Sequence, residues 1–323
     1  MDKILLLRIN FRMKKAAITI IFFFCIFLLN AQELKPSAGT IKSFKDFPSK
    51  YIAARNVDVW LPEKYDPNRK YAVLYMQDGQ MLFDSSNTWI RQEWGVDETV
   101  QKLIKENKIK QCIVVGIWNT GLYRHSEYMP QRSFESLNKQ EQDSIYGSKR
   151  VTGESIYNGA KINSDNYLKF IVKELKPFID SAFSTRKNRE NTFIAGSSMG
   201  GLISLYAICE YPKVFGGAAC LSTHWPGIFT TENNPIPASI MQYLKTNLPD
   251  QKNHKIYFDY GTLGLDTMYK PFQMQVDKLM KAKGYYSKNW VTKEFPNEGH
   301  IERSWAKRLY IPITFLLKKN KGK

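Results

Sequence analysis

Thr192-Phe-Ile-Ala-Gly196-Ser197-Ser198-Met199-Gly200-Gly201 is the stretch on which the fold turns. Four residues suited to a buried strand run into a cluster of Gly and Ser. A helix-forming run, Gly201–Glu210, follows. The centre fits G-x-S-x-G, and the pattern has a mechanical reason. A serine on a tight, strained turn between strand and helix exposes its hydroxyl. Small residues two positions to either side leave room for that turn and for the helix to pack close behind it. Ser198 is the central serine and the candidate nucleophile.

Working outward, short apolar runs bounded by turn residues alternate with helical patterns. Tyr71-Ala-Val-Leu-Tyr-Met76 stops at Gln77-Asp78-Gly79, and Cys112-Ile-Val-Val-Gly-Ile117 is a second such run. Ala218–Leu221, Ile256–Tyr260 and Trp290–Phe295 follow the central motif. Continuous runs this short suit strands buried on both faces. Asp165–Asp180 carries Tyr167, Leu168, Ile171, Val172, Leu175, Phe178 and Ile179 on one helical stripe, with Pro177 expected to kink or end it. Phe272–Ala282 and Ser304–Leu317 are expected as further helices, and Gly39–Phe47 and Ala54–Leu61 as opening antiparallel strands. Strand–helix alternation implies a mostly parallel sheet covered by helices on both faces. With the serine turn, this predicts an α/β-hydrolase fold over residues 32–323. Residues 121–164 show no clear period and are expected as an irregular insertion beside the strand ends, forming one wall of the site.

A serine hydroxyl needs a base to take its proton. The chain has four histidines: His125, His224, His254 and His300. On such folds the chain order is serine, acid, histidine. His300 follows the last strand through Pro296-Asn-Glu-Gly299, at the sheet end where ligands bind. It is the expected base. Asp266, in the loop after Ile256–Tyr260, is the expected acid, orienting the imidazole and stabilising its charged form. Two backbone N–H groups must face the developing oxyanion. One belongs to Met199, the residue after the nucleophile. The other is assigned to Gln80, in the loop after the third strand. His224, Trp225 and Arg124 are expected to line the substrate pocket, as are Trp94, Trp118 and Tyr128. Arg124 has two readings, a pair with Glu127 or a contact to an anionic substrate.

Tyr75-Met-Gln-Asp-Gly-Gln-Met-Leu-Phe83, Val114–Ile117, Arg124-x-x-Glu127-Tyr128, Gly196–Gly201, Gly261-Thr262 with Asp266, and Gly299-His300 together resemble one family. It is the "Putative esterase" family of α/β-hydrolases, which includes enterochelin esterases, feruloyl and acetyl-xylan esterases, S-formylglutathione hydrolase and mycolyltransferases. The resemblance covers roughly residues 50–317. It implies a Ser-Asp/Glu-His triad, no metal and no cofactor. The family's mycolyltransferases have Asp-Gly-Leu where this chain has Asp78-Gly79-Gln80, and there the residue after the glycine serves the oxyanion. The resemblance thus supports Gln80.

The ends and the bulk composition set the compartment. Lys14-Lys15 precede an apolar run, Ala16–Leu29, that ends at Asn30-Ala31. A basic start, a short apolar segment and a small exit residue predict a signal peptide over residues 13–31 and a periplasmic or secreted product. An uncleaved anchor is the other reading. The run falls short of the roughly 20 apolar residues of a membrane span. Cys25 lacks the neighbours of a lipidated cysteine. Apolar residues make up 43% and aromatics 14%, which excludes disorder. The net charge of +17 is spread along the chain, with one cluster at Lys318–Lys323. No zinc spacing or RNA-binding signature accompanies it, so nucleic acid is not an expected partner. Cys112, Cys209 and Cys220 are expected as buried hydrophobes, with a Cys209–Cys220 bridge left open. The expected activity is hydrolysis of a sugar, feruloyl, acetyl or siderophore ester. An acyltransferase with the same triad and a non-catalytic binding protein are the rival readings.

Overall fold

The computed structural model describes residues 34–88 and 90–319. The export signal expected over residues 13–31 lies outside them. Eight strands build one sheet: β1 (Thr40–Phe47), β2 (Arg55–Leu61), β3 (Ala72–Gln77), β4 (Cys112–Ile117), β5 (Thr192–Ser197), β6 (Gly217–Leu221), β7 (Lys255–Gly261) and β8 (Trp290–Phe295). The order across the sheet is β1-β2-β4-β3-β5-β6-β7-β8. β1 and β2 are antiparallel to each other, and β2 to β4. Every later pairing is parallel. The fold is that of an α/β-hydrolase. The parallel strands are the continuous apolar runs of the sequence because both their faces are covered. Val73 and Tyr75 point into one core layer, Leu74 and Met76 into the other.

Between and around the strands lie α1 (Val96–Lys105), α2 (Arg124–Tyr128), α3 (Gln131–Glu135), α4 (Lys139–Tyr146), α5 (Ser164–Lys169), α6 (Lys176–Ala182), α7 (Met199–Glu210), α8 (Ile236–Asn247), α9 (Lys270–Ala282), α10 (Glu302–Arg308) and α11 (Tyr310–Leu317). Residues 121–164 are thus more ordered than their lack of period suggests. Three short helices form there, and α4 opens with a reciprocal capping box between Asn138 and Glu141. Pro177 does not end its helix. A π-helical segment, Phe170–Leu175, joins α5 to α6 instead. Pro177 has no N–H to give to the preceding turn, and the wider winding accommodates the loss. Likewise Ser304–Leu317 divides at Leu309 into α10 and α11. Pro312 cannot donate to the Arg308 carbonyl, so the ladder breaks there. Cys209 and Cys220 are free and buried, as is Cys112, so the bridge left open by the sequence does not form. Burial pushes the Cys112 thiol up to about 12, in keeping with an inert core residue.

The carboxyl ends of β3, β5, β6 and β7 converge on one edge of the sheet. The residues just beyond them are Asp78, Ser198, Ser222 and Thr262. The site lies at this edge.

Candidate active site

Ser198 sits between β5 and α7 with φ 57° and ψ −126°. That conformation costs a non-glycine residue of order 1–3 kcal/mol and persists only where its surroundings over-determine it. They do so here. The Ser198 N–H donates to Leu221 O at 2.9 Å, and its carbonyl accepts from the N–H groups of Leu202 and His224 at 3.1 and 3.2 Å. The flanking glycines are required sterically. A Cβ on Gly196 would come within 2.6 Å of Gly200 O, and one on Gly200 within 3.1 Å of Asp78 Oδ2 and Gln77 Cβ. The local sequence therefore dictates both the strained serine and the close packing behind it.

His300 lies in the loop after β8. Its Nδ1 is 2.6 Å from Asp266 Oδ1. The imidazole is 15% exposed and the carboxylate fully buried. Trp305 and Tyr269 meet the imidazole edge-on, with ring centroids 5.0 and 5.7 Å away. Asp266 Oδ2 accepts the Ser222 hydroxyl and the Gly261 N–H, both at 2.6 Å. Burial alone would raise the Asp266 carboxyl. The hydrogen bond and charge of His300, with the bonds from Ser222 and Gly261, outweigh it and hold the group below the ordinary carboxylate range. Asp266 is thus held as an anion that fixes His300 with Nδ1 protonated.

Ser222, which the sequence did not single out, links this pair to a second one. Its Oγ also accepts Trp305 Nε1–H at 3.0 Å and an Arg308 guanidinium N–H at 2.9 Å. Arg308 is paired with Asp259 at 2.9 Å, the two side chains being 3% and 0% exposed. The Tyr257 hydroxyl donates to the other Asp259 oxygen at 3.0 Å. Burial pushes the Asp259 carboxyl up despite Arg308, as is common for buried ion pairs. The chain Tyr257–Asp259–Arg308–Ser222–Asp266–His300 runs from the core to the cavity.

That cavity, about 890 Å³, is lined by Ser198, His300, Met199 and Gln80 together. Met199 is the first residue of α7 and Gln80 the second of a short 3₁₀ turn, Gly79–Met81. The first N–H groups of a helix have no partner within it, so both backbones can donate outward. His224, Arg124, Trp94 and Trp118 line the same space. His224 is committed to structure. Its Nε2 donates to Ile228 O at 3.1 Å, so Nδ1 accepts the Tyr269 hydroxyl at 2.7 Å. Burial, aided by the nearby His300, pushes its pKa down to about 3.

Three expectations need correction. Trp225 is 1% exposed, stacks on Phe258 in the core and does not reach the cavity, so it is not a substrate contact. Tyr128 is likewise buried, lying beneath the Arg124 guanidinium at 5.2 Å. Arg124 does not pair with Glu127. It makes a bidentate pair with Asp78, both bonds at 2.7 Å, while Glu127 closes on Arg55 at 2.7 and 2.9 Å. Asn119 also donates to Asp78 at 2.7 Å. With its charge neutralised, Arg124 is a brace for the Asp78-Gly79-Gln80 turn rather than an anion site. Among the described residues, no group of three or more His, Cys, Asp or Glu side chains could hold a metal, and no helix is long and apolar enough to cross a membrane.

Residues 53–309 match the family described as "Putative esterase". An uncharacterized protein of Bacillus subtilis, YjcH, is 23% identical over 234 residues, 72% of this chain and 77% of its own. The carboxylesterase SOBER1 of Arabidopsis thaliana is 39% identical over 163 residues, 46% of this chain and 62% of its own. An endo-1,4-beta-xylanase/feruloyl esterase of Xylanibacter ruminicola is 25% identical over 62% of this chain and 23% of its own. Among solved structures, an IroE-like serine hydrolase of Shewanella oneidensis superposes with a TM-score of 0.63 at 21% identity, covering 86% of this chain and 80% of the other. The ferric enterobactin esterase of Salmonella typhimurium gives 0.60 at 17% identity, covering 87% and 59%.

Proposed function

The chain belongs to the "Putative esterase" family, and on that premise we propose that it is an exported serine carboxylesterase acting through an acyl-enzyme on Ser198. One observation carries this reading: a serine forced to positive φ shares a cavity with a histidine whose far nitrogen is bonded to a buried carboxylate. The substrate class is a sugar, feruloyl or siderophore ester. Support comes from the feruloyl and enterobactin esterases among the similar proteins. The tryptophans that line the cavity, Trp94 and Trp118, suit a sugar or aromatic ring.

In the proposed reaction, His300 Nε2 takes the Ser198 hydroxyl proton as Oγ attacks the ester carbonyl. Asp266 keeps Nδ1 protonated and stabilises the imidazolium. The carbonyl oxygen becomes an oxyanion received by the N–H groups of Gln80 and Met199. Such a donor is worth about 10²–10³ in rate. The C–O bond to the alcohol breaks, and the alcohol leaves with the proton from Nε2. Water then repeats the sequence on the acyl-enzyme, giving the acid and free Ser198. Export rests on the basic and apolar pattern of residues 13–31.

The test is hydrolysis of p-nitrophenyl acetate by the full-length chain and by Ser198→Ala. Loss of hydrolysis in the variant, with unchanged circular dichroism, is expected. Equal rates in both would remove Ser198 from the mechanism. For export, the mature protein recovered outside the cytoplasm is expected to begin at Gln32 by N-terminal mass spectrometry. A product there that still carries residues 13–31 would refute cleavage.

A further inference from the structure

One wall of the cavity carries charge and polarity that the proposed hydrolysis does not use. It comes from residues 121–164 and the loop holding Phe229. Arg124 is satisfied by Asp78. Arg150 is not satisfied in this way. It lines the cavity with its guanidinium carbon 5.6 Å from the centre of the Phe229 ring, and it has no carboxylate partner among the described residues. The other carboxylate of the cavity, Glu302, interacts with His300, Asp78 and Arg124 rather than with Arg150. Among the described residues the positive charge of Arg150 is therefore left without an ion-pair partner.

His125 stands in the same wall. It is 5% exposed, lines the cavity and packs against the Phe229 and Tyr157 rings, with centroids 5.8 and 6.4 Å away. Its Nε2 is buried without a hydrogen-bond partner among the described residues. Buried ring nitrogens without partners are rare, because leaving one unpaired forfeits its hydration. Burial, with Arg124 and Arg150 nearby, pushes its pKa down to about 2, so the ring is neutral. A guanidinium without an ion-pair partner, beside a flat aromatic face and a neutral imidazole ring, makes a recognition set for a planar anion.

We infer that Arg150, His125 and Phe229 form a carboxylate subsite, so that the preferred ester carries a carboxylate on the group that lies against this wall. The carboxylate pairs with the Arg150 guanidinium, and the attached chain or ring lies against the Phe229 and His125 rings. This rests on the esterase reading and sharpens it from "ester" to "acidic ester".

The experiment uses the full-length protein and three chromogenic or ultraviolet-detected esters. These are p-nitrophenyl butyrate (neutral), mono-p-nitrophenyl glutarate (carboxylate on the acyl side) and 4-acetoxybenzoate (carboxylate on the alcohol side). The readout is the ratio of kcat/KM for each acidic ester to that for the neutral one, in wild type, Arg150→Met and Arg150→Lys. The ratio for one acidic ester is expected to fall about tenfold in Arg150→Met, chiefly through KM, and to recover in part in Arg150→Lys. Which ester responds tells which side of the scissile bond faces the wall. Ratios that stay the same in all three proteins would overturn the subsite while leaving the esterase intact. Should wild type hydrolyse none of the esters, binding of glutarate and of 4-hydroxybenzoate by calorimetry decides the matter without catalysis. Weakening of either by Arg150→Met supports the subsite, and no difference refutes it.

Discussion

The cavity has two unlike walls. On the side of α10, Asp266 and Ser222 are fully engaged. Asp266 accepts from His300, Ser222 and Gly261, and Ser222 gives one bond and receives two. On the side of residues 121–164, Arg150 lines the cavity over the Phe229 ring with no carboxylate partner among the described residues, beside the neutral His125 ring. The first arrangement fixes one imidazole in one orientation. The second turns a guanidinium without an ion-pair partner toward the cavity. The contrast separates orientation from recognition. A site can be rigid where the chemistry occurs and leave a charge open where the substrate is selected, because only the open charge gains a partner on binding.

The sharpest way to break this contrast is Asp266→Asn. An amide cannot accept Nδ1–H and balance the imidazolium charge as the carboxylate does. A fall in kcat of about 10³–10⁴ on p-nitrophenyl acetate is expected, and a fall under tenfold would mean that the α10 wall does not orient the base. Next comes Arg308→Met. It strands Asp259 in the core without its cation, and breaking a buried pair from one side costs about 3–5 kcal/mol. Urea unfolding measures it. Arg150→Met, on the opposite wall, is expected to cost no more than about 0.5 kcal/mol, as for a side chain outside any buried network. Equal losses in the two variants would erase the distinction between the walls.

The two walls also differ in how far the sequence reveals them. The serine turn is legible because its causes are local: Gly196, Ser198 and Gly200 meet one another and their immediate neighbours. His300 and Asp266 follow from chain order and strand ends, since topology carries those positions to one edge. Ser222 and the Asp259–Arg308 pair had no such signal. Arg308 lies 49 positions beyond Asp259, inside a stretch whose helical pattern already explains it. Arg124 shows the same limit. The sequence offered Glu127 three residues on, while the fold supplies Asp78 from another strand end. Trp225 misled because an aromatic beside a site histidine looks like a pocket residue, but its side chain turns into the core against Phe258. Helix α1 could have been found, since Val96, Val100 and Leu103 recur at helical spacing with Asp97 and Glu98 in the first turn and Lys105 in the last.

A third measurement compares the walls through pH. His125 is neutral in the fold, with its pKa pushed down to about 2, against about 6.5 in the unfolded chain. The unfolded state therefore takes up a proton below about pH 6.5 that the folded state refuses. The stabilising effect is complete above that pH and is lost as the pH falls. Burial raises Glu93 and Asp97, each to about 7, and these act in the opposite sense over the same range. The difference between wild type and His125→Phe isolates the histidine. Relative to wild type, the variant is expected to gain about 2–3 kcal/mol between pH 7.5 and pH 4.5. Parallel stability curves would show that His125 takes up its proton alike in the folded and unfolded chains, and that burial does not hold the ring neutral.

The smallest effect tests the orienting wall at its least obvious member. Ser222→Ala removes the hydroxyl donor to Asp266 but leaves the Gly261 N–H and His300 in place. Arg308 keeps Asp259, so the core pair survives. A hydrogen bond to a charged acceptor is worth about 1.5–3 kcal/mol, part of which the remaining donors recover. A loss of about tenfold in kcat is expected, with KM unchanged, since Ser222 is buried behind Asp266 rather than facing the cavity. The direction of the pH profile separates positioning from mere packing. Without the Ser222 proton, Asp266 carries more of its charge toward His300, the imidazolium is held more tightly, and the acid limb of kcat/KM moves to higher pH. A packing defect would lower the melting temperature and the rate together without moving that limb. An unmoved limb would therefore confine Ser222 to the scaffold and end the orienting network at Asp266.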